Sequence, residues 1–557
     1  MRRVVVSKTS LCAACCIVHV LSLVSVQGAL RAAERETSTT SVSPRDEREW
    51  RIIINWDEEN LWLPLLKARG LSEPSGEEAK KLLEEIIDEH AAAKVDTVVQ
   101  VIFGAGFKHL IRSSKGSERF PAELIPRGLE EIGLDFPKIL MDRCHHHNMQ
   151  FIAGLRMNDR HEFTPTQFIR EHPEWQLGMG NAMDYAFEPV RSFVLTFVDE
   201  VLDEYEVDGL EYDYMRWCHM FKPGEGKENA HLLTEFMRKT RRQLDAAAGR
   251  RGCNRLLLGV RVPQSIEECD YLGFDLEAWI NEGLVDYIVP SDFMHTDTNM
   301  KTEDFVKLAE GTNCKIYPAI HNRISMDGPN EHYRLMTLAN YRAAAQNFYR
   351  FGADGVSPYN YQFAYERRGH AHRSSAYAAY MWPAALGWLR DIRDLEEITS
   401  RDRHYLFYSL WKKSHKSPTS FSHNNDIYLD RAKPVLEGSW RFRMAEDFSN
   451  PKLRTTMQFK ALGLAEDEKL EIQINDKQVP AGYITRVYDK DGQSLYEGDP
   501  LDPFHLYVID MNWETTGRKQ PLIFGDNQLT IHLVPSAAKA EGTASIEELE
   551  CYVYVRK

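Results

Sequence analysis
At 557 residues the chain is too long for one ordinary hydrophobic core, so two or more domains are expected. Its 43% hydrophobic and 27% charged residues give a globular balance, and a formal net charge of -15 argues against a nucleic-acid or anionic-membrane partner.

The N-terminus reads as an address. Arg2, Arg3 and Lys8 precede a largely apolar stretch from Leu11 to Val26, and Val26-Gln27-Gly28 offers small residues for cleavage. This predicts a secretory signal peptide over residues 1–28, with an N-terminal membrane anchor as the alternative. The mature chain would be exported, periplasmic or extracellular. No later run is apolar enough to span a membrane. Cys12, Cys15 and Cys16 lack the leucine a lipobox places three residues earlier. Residues 29–48, rich in Ser, Thr, Glu and Arg, are expected to be a disordered leader. The six remaining cysteines (144, 218, 253, 269, 314 and 551) are scattered without C-x-x-C spacing. That pattern suits buried thiols, or one bridge, better than zinc.

From Trp50 an alternation begins. Strand-like β-branched runs are expected at Arg51–Trp56, Thr97–Phe103, Gln150–Met157, Val207–Tyr214, Leu256–Pro263, Val285–Phe293, Lys315–His321 and Asp354–Tyr359. Helical periodicity follows at Glu77–Ala93, Phe136–His147, Val190–Tyr205, Leu232–Ala248, Leu276–Glu282, Glu303–Glu310 and Leu338–Phe351, with an eighth helix within Tyr377–Arg393. Such alternation predicts a parallel sheet, and near-continuous apolar strands predict one covered on both faces. The expected fold is an α/β (β/α)8 TIM barrel over residues 49–394. A doubly wound sheet is the competitor. Its glycine-rich first turn is missing, because Trp56-Asp57-Glu58-Glu59-Asn60 stands there. Beyond Leu395 helical periodicity fades. Short runs separated by turns such as Asn475-Asp476 and Asp491-Gly492 predict a C-terminal antiparallel β-sandwich over 395–557, either carbohydrate-binding or a buttress.

A barrel carries its chemistry at the C-terminal strand ends. Those ends read Asn55-Trp56-Asp57, Arg156-Met157-Asn158-Asp159, Glu211-Tyr212-Asp213-Tyr214 with Arg216-Trp217, Arg261-Val262-Pro263, Ser291-Asp292-Phe293, His321-Asn322 and Tyr359-Asn360-Tyr361. Each alone has a plain explanation. A terminal Asp often caps the next helix. The collection of acids, arginines, amides and aromatics at one face is the signal. Glu211 and Asp213, two apart on a strand, face the same side, with Gly209 leaving room below them. Two carboxyls that close raise at least one pKa unless a cation intervenes. Arg261 on the neighbouring strand is the candidate cation, and a structural Glu211–Arg261 pair is the plain reading for Glu211. Asp213 on strand four and Asp292 on strand six flank strand five and could face each other across the mouth, as the two carboxyls of glycoside hydrolysis must.

Val207 to Arg216, V-D-G-L-E-Y-D-Y-M-R, resembles the DG-apolar-x-x-D strand-four signature of several glycoside hydrolase barrels. Leu284 to Pro290, L-V-D-Y-I-V-P, resembles the strand-six segment of the bacterial family-10-like glycosyl hydrolase group. The likeness covers roughly residues 50–390 and implies a glycoside hydrolase barrel. In the clan that includes α-galactosidases and α-glucosidases, an Asp ending strand four is the nucleophile and an Asp after strand six the acid/base. By that resemblance Asp213 and Asp292 take these roles in a retaining reaction. The paired-glutamate scheme of the other large clan does not transfer, since strand seven ends in His321-Asn322. Glu211 remains a third candidate acid. Asn55, Asp57, Arg156, Asn158, Arg216, Arg261, His321 and Asn360 are the expected polar contacts to a carbohydrate substrate, and Trp217, Tyr359 and Tyr361 the stacking rings.

Three other readings compete. A phosphate-binding barrel would follow strand eight with glycine and a helix start, whereas Ser357-Pro358-Tyr359-Asn360-Tyr361 follows here. A metal site at His145-His146-His147 is disfavoured because adjacent helical residues do not face one another. No metal or cofactor is therefore expected. A non-catalytic carbohydrate-binding protein with a degenerate barrel remains the alternative to an enzyme, and the sequence leaves the oligomeric state open.

Overall fold
The longer parallel strands are buried along nearly their whole length, and this separates the first part of the chain from the last. The computed structural model describes residues 51–56, 75–111, 118–119, 129, 132–159, 164–293, 295–325, 333–361, 384–408, 426–490, 503–513, 520–535 and 540–556. The signal peptide, the leader and Asp57 lie outside them. Seven strands form one parallel sheet in chain order: β1 (Ile53–Trp56), β2 (Thr97–Phe103), β3 (Gln150–Arg156), β4 (Gly209–Asp213), β5 (Leu257–Pro263), β6 (Tyr287–Ser291) and β7 (Lys315–Ile316). The seventh expected run is interrupted because Pro318 has no N–H to give the ladder. It resumes as β8 (Ala319–Ile320), followed by a hairpin, β9 (Arg323–Ser325) with β10 (Tyr333–Leu335). β8 pairs in parallel with β11 (Ser357–Pro358). A parallel bridge joins Ile52 to Val356, with Ile53 N donating to Val356 O at 3.2 Å and Val356 N to Arg51 O at 2.9 Å. Backbone hydrogen bonding thus passes from the last parallel segment back to the first, in a TIM-like α/β arrangement.

The helices between them are α1 (Gly76–Ala92), α2 (Phe136–His146), α3 (Gln167–Glu171), α4 (Glu188–Glu204), α5 (Gly226–Arg251), α6 (Ile266–Leu272), α7 (Leu276–Asn281), α8 (Thr302–Ala309), α9 (Leu338–Arg350), α10 (Ala384–Asp391) and α11 (Leu395–Thr399). Local signals set their ends. α1 starts in a capping box of Ser75 and Glu78, α9 in one of Thr337 and Asn340, and α5 stops at Gly252 in the left-handed region (φ 67°). The α1 face of Ala79, Leu82, Leu83, Ile86, Ile87 and His90 is buried at the spacing an amphipathic helix requires.

One device repeats at the opposite end of the strands from the candidate site. Val95-Asp96, Val207-Asp208, Val285-Asp286 and Ala353-Asp354 precede every second parallel strand. Each carboxylate accepts a backbone N–H where the preceding strand begins. Asp96 takes Arg51 N (2.8 Å) and Ile52 N (3.0 Å), Asp208 takes Phe151 N (2.9 Å), Asp286 takes Leu258 N (2.7 Å) and Asp354 takes Ile316 N (3.0 Å). Each also meets a basic side chain: Arg393, His145, Arg241 with Arg255, and Lys315. The acids fix register, because a one-residue slip would take the N–H away from its carboxylate.

After α11, strands alternate buried and part-exposed, as in β15 (Leu453–Leu462). β12 (Arg403–Leu406), β21 (Thr543–Val555), β15, β19 (Phe504–Asp510) and β18 (Ile484–Asp489) make one antiparallel sheet, with β13 (Ile427–Asp430) also on β21. β14 (Glu437–Met444), β20 (Gly525–Val534), β16 (Lys469–Ile474) and β17 (Lys477–Gln478) make a second. Asn475 and Asp476, both at positive φ (51° and 61°), form the β16–β17 turn that their residue types predict. Both sheets feed one apolar cluster, with Met457, Phe459 and Ile546 from the first and Trp440, Phe442 and Ile531 from the second.

α9 ties the two parts together. Asn347 Nδ2 donates to Thr298 O and Arg443 O, each at 2.9 Å, and its Oδ1 accepts Ala445 N at 2.8 Å. Asn340 Nδ2 donates to His404 O at 2.7 Å and Gln346 Nε2 to Ala445 O at 3.0 Å. Cys144, Cys218, Cys269, Cys314 and Cys551 are buried free thiols and Cys253 is an exposed one. Among the described residues no helix is long and apolar enough to cross a membrane.

Candidate active site
β3, β4 and β5 lie in a register that stacks the site in two levels. Gly154, Glu211 and Gly259 share one, and Arg156, Asp213 and Arg261 the next. Alternation sends Tyr212 and Tyr214 the other way, onto α5, where Tyr212 Oη lies 2.7 Å from Thr240 Oγ1 and Tyr214 Oη 3.5 Å from Met237 Sδ. Gly209 does a different job from the one expected. A Cβ there would lie 2.3 Å from Leu257 O, so this glycine permits close approach of β5 at the strand entry. The glycine that makes room in the interior is Gly259, where a Cβ would lie 2.0 Å from Tyr287 Cζ.

Arg261 pairs with Asp213, not with Glu211. Its Nη1 donates to Asp213 Oδ1 (3.0 Å) and Oδ2 (3.2 Å). Its Nε donates to Ser291 Oγ (3.0 Å), and its Nη2 to the main-chain oxygens of Asp292 and Phe293 (2.9 Å each). The guanidinium lies 3.3 Å from the ring centre of Tyr359, a cation–π contact, and Tyr359 Oη donates to Asp213 Oδ2 at 3.4 Å. Burial pushes the Tyr359 hydroxyl pKa up. Met215 N supplies a further bond to Asp213 Oδ1 at 2.8 Å. Beyond Asp213 the charges alternate. Arg156 Nε lies 4.0 Å from Asp213 Oδ2, Arg156 Nη1 donates to Asp159 Oδ2 at 3.2 Å, and Arg216 Nε is 4.0 Å from the same Asp159 oxygen. Arg216 also lies near the rings of Trp217 (5.8 Å) and Phe293 (5.3 Å). Asp213 and Asp159 are thereby each flanked by two guanidiniums, the arrangement that makes buried charge tolerable.

Among the described residues Glu211, one level deeper, has no salt bridge of this kind. Asn55 Nδ2 donates to its Oε1 at 3.2 Å and Tyr287 Oη to its Oε2 at 3.0 Å. Burial, then repulsion from Asp213, pushes its pKa from 4.5 up to about 7, with the Tyr287 and Asn55 hydrogen bonds and Arg261 acting the other way. Asn55 Oδ1 takes no hydrogen bond, so a proton on Glu211 has an acceptor beside it once the amide turns over.

Asp292 meets Arg261 through its main-chain oxygen. Its side chain is 9% exposed against 1% for Asp213. Its Oδ1 accepts His295 N at 3.0 Å and lies 3.1 Å from His295 Nδ1, so it caps the turn after β6. His321 is fixed by its backbone, which exchanges hydrogen bonds with Thr296 Oγ1 (2.9 and 2.7 Å), and its ring is 6.0 Å from that of Tyr359. Asn360 is buried in the left-handed region (φ 48°). Trp217 is half-buried, edge-on to Phe293 at 5.5 Å.

Two expected contact residues are spent elsewhere. Asn158 bridges loops, donating to Met183 O (2.9 Å) and His219 O (3.0 Å) and accepting Met183 N (2.9 Å). Tyr361 donates to Ala385 O and packs edge-on to Tyr341 on α9. The site also includes Asp159 and Ser291, which stand at the strand ends read from sequence but were assigned no role, and Tyr287 and His295, which that reading did not reach. Asp159 carried a signal, an acid three residues after Arg156 at the same strand end. Tyr287 carried one only through Gly259, which stands opposite it across the ladder. The histidine run is divided between two acids, with His145 on Asp208 (2.8 Å) and His147 on Asp88 (2.6 Å). Among the described residues no group of three or more His, Cys, Asp or Glu is placed to hold a metal.

No family model matches the chain, and no curated protein matches it. Solved structures similar to it in part are glycoside hydrolases. One is the PgaB glycoside hydrolase domain from Bordetella bronchiseptica, 12% identical with a TM-score of 0.38, over 62% of this chain and 99% of that one. Another is catalytic domain 2 of the Ostrinia furnacalis Group II chitinase, 11% identical with a TM-score of 0.38, over 63% and 97%. A third is an α-galactosidase from Geobacillus stearothermophilus, 13% identical with a TM-score of 0.34, over 88% of this chain and 57% of that one. At that identity and overlap the likeness transfers neither residues nor activity to this chain.

Proposed function
We propose that the chain is an exported glycoside hydrolase that cleaves O-glycosidic bonds of an oligo- or polysaccharide, with a (β/α)8 barrel as catalytic domain and a β-sandwich behind it. The observation that carries the reading is the position of Arg261. It holds the Asp213 carboxylate through Nη1 and the Asp292 main-chain oxygen through Nη2, so one guanidinium links the two strand ends that carry these acids. Two carboxyls around one bond are what glycoside hydrolysis requires.

In the proposed retaining reaction, Asp213 forms a bond to the anomeric carbon as the glycosidic C–O bond breaks, and Asp292 gives its proton to the leaving oxygen. Asp292 then takes a proton from water, whose oxygen attacks the anomeric carbon and releases Asp213. Oδ2 is the attacking oxygen in this scheme. Oδ1 is tied by Met215 N at 2.8 Å and Arg261 at 3.0 Å, whereas the contacts to Oδ2 from Arg261 and Tyr359 are longer, 3.2 and 3.4 Å. Arg156, Arg216 and His321 would contact sugar substituents, and the half-buried Trp217 ring would stack on a sugar. Release of reducing ends from a panel of polysaccharides, with the anomer of the first product read by NMR, tests both activity and stereochemistry. An inverted anomer would sink the nucleophile role of Asp213.

A second reading has its own observation. Asp213 is 1% exposed with both oxygens on Arg261, as a structural ion pair would be. It describes a carbohydrate-binding protein with a degenerate barrel. Calorimetric binding of an oligosaccharide without product would favour it.

A further inference from the structure
Glu211 takes no part in the proposed steps, yet it stands directly beneath Asp213 on the same face of β4. Two donors from opposite sides hold it, Asn55 on β1 and Tyr287 on β6. The reach of Tyr287 depends on Gly259 in between. A Cβ at Gly259 would fall 2.0 Å from Tyr287 Cζ and 2.4 Å from its hydroxyl oxygen, so any side chain there evicts the ring. Tyr317 closes the other side, edge-on at 5.9 Å. The charged or titratable groups around Glu211 are Asp213 on its own strand, Arg261 on β5 and Tyr287 on β6. Arg156 and Tyr359 stand at the Asp213 level, and the β3 neighbour of Glu211 is the uncharged Gly154.

We propose that Tyr287 is a positioning residue: seated in the slot left by Gly259, its hydroxyl holds the Glu211 carboxyl and thereby sets the charge standing beneath Asp213. The inference rests on the two-carboxylate reading above and adds a residue to it. A donor to a carboxyl favours its ionised form, so losing the hydroxyl keeps Glu211 neutral to higher pH. Ionised Glu211 repels the Asp213 carboxylate that the reaction consumes, so the pH limb of turnover should follow the charge of Glu211.

The test uses carboxyl-13C-glutamate-labelled full chain without substrate, followed by NMR between about pH 5 and 9, with the Glu211 signal assigned by its loss in Glu211→Gln. Tyr287→Phe is expected to move that titration upward by about one pH unit, a tenfold change in proton affinity, as one hydrogen bond to a charged group warrants. Gly259→Ala should move it the same way. If Gly259→Ala does not fold, Tyr287→Phe, which keeps the ring, decides alone. With an active glycan in hand, the pH–rate limb of Tyr287→Phe should shift with the titration. A folded Tyr287→Phe whose Glu211 titrates where the wild type does overturns the proposal, as does a limb that stays put while the titration moves. A moved titration in a protein that cleaves no glycan keeps the hold of Tyr287 on Glu211 and sinks only the hydrolase reading.

Discussion
Asp213 and Glu211 are two residues apart on one strand face and live in opposite environments. Asp213 has Arg261 on both oxygens and Arg156 behind it. Among the described residues Glu211 has only neutral donors, and its pKa rises to about 7. The consequence for stability has a definite sign. Below about pH 4.5 both folded and unfolded chains keep this proton, and the stability linked to it is fully present. As pH rises toward 7 the unfolded chain gives it up while the fold retains it, so stability falls, and above about 7 the loss is complete. The full span is about 3 kcal/mol at 1.36 kcal/mol per unit. Glu211→Gln keeps the shape without the titration. The difference in urea-unfolding free energy between variant and wild type is therefore expected to swing in favour of the variant between about pH 5 and 8. A pH-independent difference would show that Glu211 does not titrate in that window. Which acid meets Arg261 was not legible in the sequence. Parity aims Glu211, Asp213 and Arg261 at one side, but the register between β4 and β5 decides the pairing. That register is a pairing between two strands, which spacing within either strand does not reveal.

The aspartates that fix register at the strand starts belong to the scale of the element. Strand positions are readable because β-branched runs end at turn chemistry, and β2 occupies its expected span. Elements built from few residues escape such reading: β9 and β10 (three residues each), the short edge strand β17, and α6, a single caps-bounded helix after β5. The V-D pairs that open β4 and β6 are the same residues that carry the resemblance to glycoside hydrolases. Their structural work is to hold the start of the neighbouring strand. Asp286→Ala removes the acceptor of Leu258 N and one of the two carboxylates paired with Arg241, which is nearly buried. It is expected to cost about 2–4 kcal/mol in urea unfolding, and Asp286→Asn less, since an amide oxygen still accepts the N–H. Equal losses for the two would mean that the charge, not the register clamp, is what matters.

At the scale of the whole molecule, α9 is shared. Ala343 lies in the apolar cluster of the C-terminal sheets, while Tyr341, Ala344 and Phe348 lie in that of the parallel part. Asn347 satisfies three backbone groups drawn from both. The two parts are therefore expected to unfold in one cooperative transition. Asn347→Ala should lower that transition as a unit, by about 2–4 kcal/mol for three buried hydrogen bonds. Two resolved calorimetric transitions in the wild-type protein would contradict this coupling. Amphipathic periodicity announced α9, but a sequence does not say that both flanks of a helix will be covered by different cores.

Asp213 is the residue proposed to do the chemistry. The most direct measurement is the release of reducing ends from a panel of oligo- and polysaccharides by the wild-type chain and by Asp213→Asn, with circular dichroism confirming that both are folded. The account predicts turnover by the wild type and a loss of at least about a thousandfold in the variant, as removal of a nucleophile warrants. Comparable turnover in both would contradict it, and so would a wild type that binds a glycan and never cleaves it.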